Sequence, residues 1–306
     1  MEKIKIIIDT DIGDDIDDAF ALAFAANSDE IEILGVTTVF RNAEKRARMS
    51  SALLRSLGKS DVPVYAGIDQ PLVAPILVRK NDYWNESGEF IPCQYLPEFE
   101  DFTYEGQHAV DYLIETIRNH PGEITLVPIG PLTNIAVAFR KAPDIIESVK
   151  EVVLMGGCFE SEKAEWNIIC DPEAAKIVFT SGAVVKAVGL DVTMKCRLDS
   201  TLVAQFRELS SKSCRLLTAL MNKWFEHYKF DNPVLHDPLT IAALVIDGIV
   251  AFTPMQVTVP LDKDHYGRTI ITINDNEPDS AKVWTATAVN EKQFLSLFID
   301  RVFNNR

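Results

Sequence analysis

The sequence has few cysteines and no long apolar run. Its 306 residues include five cysteines, Cys93, Cys158, Cys170, Cys196 and Cys214, and no CxxC pair. An odd number of widely spaced cysteines indicates neither a disulfide framework nor a cysteine-ligated zinc site. The apolar stretch near the N-terminus is short and runs at once into acidic residues, so it predicts neither a signal peptide nor a membrane-spanning helix. We therefore expect a protein of the reducing cytoplasm.

Basic residues are also scarce. Lysine and arginine together number 30 against 45 aspartates and glutamates, which gives a formal net charge of −15. Nucleic acids and most membrane surfaces are themselves anionic, so we expect neither as a partner. Hydrophobic residues make up 47% of the chain and charged residues 25%. That balance is ordinary for a protein that buries a large core.

No segment rich in proline, glycine or serine divides the chain, so we expect one domain over residues 1–306. Short β-branched runs alternate with helical patterns, beginning with KIKIIID, DDAFALAFAANS and IEILGVTTV. This alternation predicts an α/β fold with an open, mostly parallel sheet flanked by helices. Residues 73–105 look irregular and suit a loop near a binding site. Near the end we expect a late β-hairpin in MQVTVPLDKDHYGRTIITIN, a strand in KVWTATAVN and a closing helix in EKQFLSLFIDRVF.

What the sequence has in excess is carboxylate. The segment Asp9–Phe20, DTDIGDDIDDAF, carries six aspartates after the first strand, where α/β sheets bind their ligands. In an extended chain Asp9 and Asp11 point the same way, and one or two of the others could cap the next helix. The remainder indicate a hard divalent cation, calcium or magnesium. An EF-hand is excluded, because its sixth position would be Asp14 and its twelfth Phe20. A solvated acidic helix start is the alternative.

Three further segments carry side chains suited to chemistry. VLHDPL places His236 beside Asp237 before an apolar helix, and EWNIICDPEAA contains Glu165 and Asn167, which could bind hydroxyl groups. PIGPLTNIA has the loop-to-helix form of a segment that offers backbone groups to a ligand. Each has a plain alternative as a helix cap, a helix start or a turn.

Taken together and in this order, these motifs resemble the nucleoside hydrolase family, the inosine–uridine-preferring ribohydrolases, over nearly the whole chain. The resemblance rests on IIIDTDIGDDIDDAFAL, EIEILGVTTVFRN, VPVYAG, ITLVPIGPLTNIA, VKEVVLMGG, EWNIICDPEAA and HDPL. It implies an open α/β fold and calcium-dependent hydrolysis of the N-glycosidic bond of ribonucleosides, which yields ribose and free base. It also implies a homodimer or homotetramer.

The resemblance further implies a role for each matching residue. The calcium ion would be held by Asp11, Asp18, Asp237 and the backbone carbonyl of Ile129. The ribose would be held or lined by Asp17, Asn42, Met155, Glu165 and Asn167. Asp11 would also act as the general base toward a water held by the ion, and His236 would protonate a leaving purine.

The acidic segment departs from the family pattern in its length. The common pattern has one residue between the glycine and the aspartate pair, whereas here Gly13 is followed by DDIDDA. If the helix start sets the register, Asp17 holds the ribose diol and Asp18 is the calcium ligand. If the glycine sets it, Asp15 takes one of these roles and Ile16 cannot take the other. We prefer the first register because it keeps the phase of the helix.

A second departure concerns the leaving base. Trp84 stands where many members of the family have a histidine, and an indole can stack on a base but cannot protonate one. Trp224, His227, Tyr228 and Phe230 could also stack on a base, although at helical spacing some of them must be core. Base preference and the identity of the leaving-group acid therefore stay open.

Two other functions stay open at this point. One is a nucleoside- or sugar-binding protein that keeps the metal site without turnover. The other is a phosphohydrolase of the haloacid dehalogenase type, which also carries an Asp-x-Asp pair after its first strand. The sequence offers no phosphate cradle for the second, and its surplus of aspartates would repel an anionic substrate.

Overall fold

The computed structural model describes residues 2–229, 232–272 and 283–303. Within them the chain forms eleven strands, β1 to β11, at Ile4–Thr10, Ile31–Thr38, Val64–Ala66, Tyr83–Trp84, Phe90–Ile91, Ile124–Pro128, Glu151–Met155, Val185–Val188, Val250–Thr258, Ile270–Thr272 and Val283–Val289. The α-helices within them, α1 to α12, are Asp17–Ala26, Ala43–Ser56, Ala109–Asn119, Thr133–Lys141, Ile145–Ser148, Trp166–Cys170, Pro172–Phe179, Leu190–Thr193, Ser200–Arg207, Lys212–Tyr228, His236–Val245 and Glu291–Phe298. A 3₁₀-helix at Pro97–Asp101 and a π-helix at Ile299–Phe303 are also present.

Nine strands form one sheet in the order β10-β9-β11-β8-β7-β6-β1-β2-β3. Among these described strands, every neighbouring pair is parallel except the two pairs that include β9. The prediction of an open, mostly parallel α/β sheet is therefore confirmed.

The C-terminal elements also follow the prediction. Strands β9 and β10 pair antiparallel, with Ile271 opposite Val257, and form the expected late hairpin. Strand β11 lies between β8 and β9, and α12 follows it. The last two residues assigned to the hairpin, Ile273 and Asn274, lie outside the described residues, as do Lys282 of the expected strand and Phe230.

Both faces of the sheet are covered, which explains the continuous apolar run in β1. Successive side chains of a strand point to opposite faces. Ile6 and Ile8 belong to a hydrophobic cluster with α1, α2, α10, α11 and α12, whereas Ile7 belongs to a second cluster with α3, α4 and α7. A strand with both faces buried carries apolar residues at every position instead of alternating them.

The carboxyl end of β1 is the point where the chain changes direction across the sheet. Strands β2 and β3 are added on one side of β1, and the chain then crosses to β6 on the other side. Connections diverge above such a strand and leave a crevice, where open α/β sheets bind ligands. The acidic segment Asp9–Phe20 begins at this end of β1.

The long connection between β3 and α3 folds back onto the acidic segment. It carries the β4–β5 hairpin and the 3₁₀-helix, and its remainder is irregular, as expected. The backbone N–H of Gln94 donates to the carbonyl of Gly13 at 3.0 Å, and its side-chain amide donates to the carbonyl of Asp15 at 2.6 Å. This connection therefore fixes the outer side of the acidic turn.

The cysteines and the helices bear on disulfide bonding and on membrane insertion. All five cysteines are unpaired, as the sequence predicted. Among the described helices, none combines the length and apolar character needed to cross a bilayer.

The closing helix α12 is held by aromatic packing, which gives a test of the fold. Phe298 is fully buried and its ring lies 5.6 Å from that of Phe20 and 6.4 Å from that of Phe24. We expect Phe298→Ala to lower the free energy of unfolding by about 3–5 kcal/mol, because it leaves a cavity in the core. Urea denaturation measures this, and Lys292→Ala on the exposed face of α12 is the matched control. Equal stability of the two variants would contradict the packing described here.

Candidate active site

A pocket of about 230 Å³ opens at the carboxyl ends of β1, β6 and β7. Its lining combines the acidic segment with residues from distant parts of the chain: Asp11, Asp14, Asp15, Asp17, Asp18, Arg79, Ile129, Met155, Ala164, Glu165, Trp166, Asn167, Leu190, His236 and Asp237. Ten of the twelve residues that the sequence nominated for the site therefore lie in one pocket, and the two others are Asn42 and Trp84.

The two aspartates at the end of β1 have different surroundings. Asp11 lines the pocket, whereas Asp9 accepts hydrogen bonds from the Thr37 hydroxyl at 2.6 Å and from the Asn134 amide at 2.8 Å. Burial raises the pKa of Asp9 to about 7. The expectation that Asp9 and Asp11 share one direction assumed extended chain, but β1 ends at Thr10 between them. Asp9 therefore fixes β1 against β2 and α4, and Asp11 is left for the pocket.

Gly13 allows the tight turn that follows. Its φ of +118° is a backbone conformation that glycine adopts readily and that other residues rarely adopt. A side chain would also be too large here, because its Cβ would lie 2.7 Å from the Cβ of Pro92 and 2.9 Å from the sulfur of Met49. The turn brings α1 into position so that the helix begins at Asp17. Both Asp17 and Asp18 therefore lie in its first turn, close to the positive end of the helix dipole.

Three buried carboxylates converge beside this turn. One oxygen each of Asp17, Asp18 and Asp237 lie within 4.8 Å of one another. Asp237 comes from the first turn of α11, so two helix N-termini meet here. Burial raises the pKa of all three well above the usual value, and the neighbouring carboxylates raise it further.

This group of oxygens has the chemistry of a site for a hard cation. Carboxylates, backbone carbonyls and water are the ligands that calcium and magnesium take in proteins. The carbonyl of Ile129, whose residue lines the same pocket, accepts one hydrogen bond, from the Asn167 amide at 2.9 Å, and keeps a second lone pair. The residues present therefore fit a divalent cation that would offset the repulsion among the three carboxylates.

Asp14 and Asp15 do not belong to this group of three carboxylates, and both have partners within the protein. Asp14 forms a salt bridge with the fully buried Arg46 at 3.0 Å. Asp15 accepts a hydrogen bond from the backbone N–H of Ile16 at 2.7 Å and lines the pocket, but it is not part of the three-carboxylate group.

Arg46 also holds the backbone of the acidic turn. From α2, its guanidinium donates to the carbonyls of Asp11 and Ile12, the latter at 2.9 Å, and to the carbonyl of Phe40 at 2.8 Å. Sequence analysis did not nominate this residue. Its position in the sequence could have indicated its role. It lies on the same face of α2 as the buried Ala43, Ala47 and Ser50, and a charged residue is rarely buried without a partner.

The far wall of the pocket comes from β7 and the start of α6. Glu165 caps α6 by accepting from the backbone N–H groups of Asn167 at 2.9 Å and Ile168 at 3.1 Å, and burial raises its pKa to about 7. The Asn167 amide also donates to the Met155 carbonyl at 3.2 Å. These contacts fix the side chains that the sequence nominated for binding hydroxyl groups.

His236 begins α11 and is partly buried at the edge of the pocket. Its Nδ1 lies 2.7 Å from the Thr193 hydroxyl, and burial lowers its pKa to about 4. The imidazole is therefore neutral near pH 7 and has a single N–H to donate.

Asn42 and Trp84 lie outside the residues that line the pocket. The Asn42 side chain caps α2 and donates to the Phe90 carbonyl and to Glu89, both at 2.9 Å. Trp84 lies on β4, is 36% exposed, and packs edge-on against Phe90 with ring centroids 5.3 Å apart. Both residues therefore support the β4–β5 hairpin.

Of the aromatic residues in α10, Trp224 belongs to the core. It is 3% exposed and packs against Phe225, with ring centroids 5.1 Å apart. Tyr228 accepts a hydrogen bond from Arg79 at 2.6 Å. Arg79 lines the pocket and was also missed by the sequence analysis, because a single arginine in an irregular loop carries no pattern.

Comparison with known proteins agrees with this arrangement. Residues 6–296 match the family described as inosine-uridine preferring nucleoside hydrolase. The chain is 36% identical over 286 residues to the pyrimidine-specific ribonucleoside hydrolase RihB of Escherichia coli (strain SE11), covering 88% of each chain. Two similar solved structures, each 29% identical, are a plant nucleoside hydrolase, the PpNRh1 enzyme (TM-score 0.83, 97% of this chain and 98% of that one), and a purine-preferring ribonucleoside hydrolase from Gardnerella vaginalis (TM-score 0.84, 98% of each).

The contacts of Arg46 predict its contribution to stability. We expect Arg46→Met to lower the free energy of unfolding by about 3–5 kcal/mol, because the buried Asp14 would lose its nearest cation. Chemical denaturation in urea measures the effect, with Arg55→Met on the exposed side of the same helix as control. If both variants were as stable as the parent chain, the proposed support of the acidic turn would be wrong.

The repulsion among the three carboxylates predicts a pH-dependent effect of Asp17→Asn in EDTA. The folded-state pKa of Asp17 is raised, so its contribution to stability is present below the unfolded-state pKa, about 4, and is lost as pH rises toward the folded-state value. An asparagine does not ionise. The variant should therefore melt like the parent at pH 4 and at a higher temperature at pH 8.

Thermal melts between pH 4 and pH 8 test this, and Asp29→Asn, at an exposed position, serves as the control. A variant that melted at a lower temperature than the parent at pH 8 in EDTA would show that charge repulsion in the cluster does not destabilise the folded protein.

Proposed function

Since the chain belongs to the inosine-uridine preferring nucleoside hydrolase family and is a hydrolase acting on N-glycosyl bonds, we propose that it cleaves ribonucleosides to ribose and free base with the help of a bound calcium ion. The observation that carries the proposal is the group of three buried carboxylates, Asp17, Asp18 and Asp237, beside Asp11 in one pocket.

Calcium suits this group better than a transition metal does. The donors are oxygens, without histidine or cysteine among the three, and calcium accepts irregular sets of oxygen ligands. We propose that Asp11, Asp18, Asp237 and the Ile129 carbonyl hold the ion. When bound, the cation would polarise a water molecule and lower its pKa. The inclusion of both Asp17 and Asp18 in the group supports the register set by the helix start, and Asp15 then has no direct ligand role.

Asp11 is the proposed general base. Burial raises its pKa to about 6 in the absence of a cation, and a carboxylate on the pocket wall can accept a proton from water. Attack by this water on the ribose carbon is a direct displacement, which predicts inversion at the anomeric carbon.

The remaining carboxylates and amides are proposed to hold the ribose. Asp17 would bind the diol, Glu165 and Asn167 would bind hydroxyl groups, and Met155 would line the ring. Negative charge on this side of the sugar stabilises the positive charge that develops as the glycosidic bond breaks. His236, with one N–H to give, is the proposed donor toward a leaving purine. Asn42 and Trp84, which lie outside the lining, would act only through the β4–β5 hairpin.

The relatives differ in the bases that their descriptions give. The RihB relative is pyrimidine-specific and the Gardnerella relative is purine-preferring by description. We propose ribonucleosides of both classes as substrates, a homodimer or homotetramer as the assembly, and the cytoplasm as the location, in keeping with five unpaired cysteines.

Metal removal is the first test of this function. We expect EDTA to abolish ribose release from a panel of purine and pyrimidine ribonucleosides, and calcium to restore it, because the ribose and the water both need the cation. A reducing-sugar assay measures release and ranks the bases, and magnesium is the matched control ion. Calcium binding by titration calorimetry without any ribose release would favour the binding protein without turnover.

The general base gives a second test. Asp11→Asn should lower kcat by about a hundred- to ten-thousand-fold, because an amide cannot take the proton of the water. Asp29→Asn, at an exposed position, should leave kcat unchanged. A variant at position 11 with full activity would remove this residue from the mechanism.

A further inference from the structure

Arg79 places a cation on the wall of a pocket otherwise dominated by carboxylates. Its side chain lines the pocket together with Asp11, Asp14 and Asp15. No carboxylate of the described residues lies within ion-pairing distance of its guanidinium, in contrast to Arg41, which pairs with Asp82 at 2.9 Å.

The guanidinium is held by two aromatic side chains. Its central carbon lies 3.5 Å from the centre of the Trp166 ring, and its Nη1 donates to the Tyr228 hydroxyl at 2.6 Å. The backbone N–H of Arg79 donates to Asp82 at 2.6 Å, which anchors the loop itself. A guanidinium has five N–H donors, so most of them are left for a ligand.

The negative carboxylates and the positive guanidinium of Arg79 match the charges that develop on the ribose and on the base during the proposed reaction. As the bond between the anomeric carbon and the base nitrogen breaks, positive charge develops on the ribose and negative charge on the base. The carboxylates stabilise the first. We propose, on the basis of the proposed function, that Arg79 binds the leaving base and stabilises its negative charge, so that it is a catalytic residue for leaving-group departure.

The step needs no proton from Arg79. The electron pair of the carbon–nitrogen bond leaves with the base, and the oxygen of water forms the new bond to carbon. Asp11 takes one proton of that water. A leaving pyrimidine anion afterwards gains a proton from solvent, and a leaving purine gains the one that His236 donates. The guanidinium stays charged throughout, because the carboxylates and Tyr228 keep its pKa raised. This role helps the base to leave without a proton donor at position 84.

Arginine suits this position better than lysine would. A planar guanidinium can stack on Trp166 through its face and donate through its edge at the same time, and its parallel N–H groups match the adjacent nitrogen and oxygen acceptors of a nucleobase. An ammonium group has neither a planar face to stack nor a parallel pair of N–H groups.

The test compares two leaving groups in the calcium-loaded enzyme. Arg79→Met should lower kcat for uridine and inosine by about a hundredfold or more, as loss of a charge-stabilising donor does elsewhere. For 4-nitrophenyl β-D-ribofuranoside, whose phenolate leaves without help, the loss should stay below about threefold. Lys80→Met removes the neighbouring, exposed cation and should change neither rate.

The outcomes separate this role from others. An equal loss with both substrates would overturn it, because Arg79 would then act on the ribose or on the fold. Unchanged nucleoside hydrolysis by Arg79→Met would also overturn it. A parent enzyme that released ribose from neither compound would contradict the proposed function itself, and this role with it.

Discussion

Mutual repulsion of buried carboxylates at the end of β1 is the constraint on which the rest of the site depends. Each aspartate of the acidic segment needs a partner before the chain can close over it. Asp9 has Thr37 and Asn134, Asp14 has Arg46, and Asp15 has a backbone N–H. The charge that remains belongs to Asp11, Asp17, Asp18 and Asp237, and neither a helix dipole nor a Thr10 hydrogen bond is enough to offset it. Some of the aspartates thus have hydrogen-bond or salt-bridge partners within the protein, whereas the others are suited to binding a cation.

The fold brings this group together from distant parts of the chain. The first turns of α1 and α11 meet above the sheet, with a hydrogen bond from the backbone N–H of Asp237 to Asp17 at 3.3 Å across 220 positions of sequence. Residues from the ends of β6 and β7 complete the opposite wall. A parallel sheet allows this because the carboxyl ends of its strands lie at one edge, so that short segments far apart in sequence share one crevice.

Much of this arrangement could be predicted from the sequence, for identifiable reasons. Strand–helix alternation indicated the sheet, and the order of the motifs indicated Asp11, Asp237 and Glu165, which share the pocket. The surroundings of Asn42 could not be predicted, because a motif gives the residue type but not its partners, and its amide donates to Glu89 and Phe90. The supporting arginine of α2 could have been noticed from its helical phase. Arg79 could not, because its place depends on how a long irregular connection folds back.

The contacts of Arg46 have a consequence for how this chain diverges from its relatives. In the register set by the helix start, the two residues inserted after Gly13 would include Asp14, a buried charge that pairs with Arg46 of α2 at 3.0 Å. Asp14 without Arg46 would keep only Arg41, whose Nη1 lies 3.7 Å away, and Arg46 without Asp14 would be a buried cation held by backbone carbonyls alone. The insertion and the arginine should therefore be inherited as a pair. Among homologous sequences, an arginine at this point of the second helix would then mark the lineage that carries the longer turn.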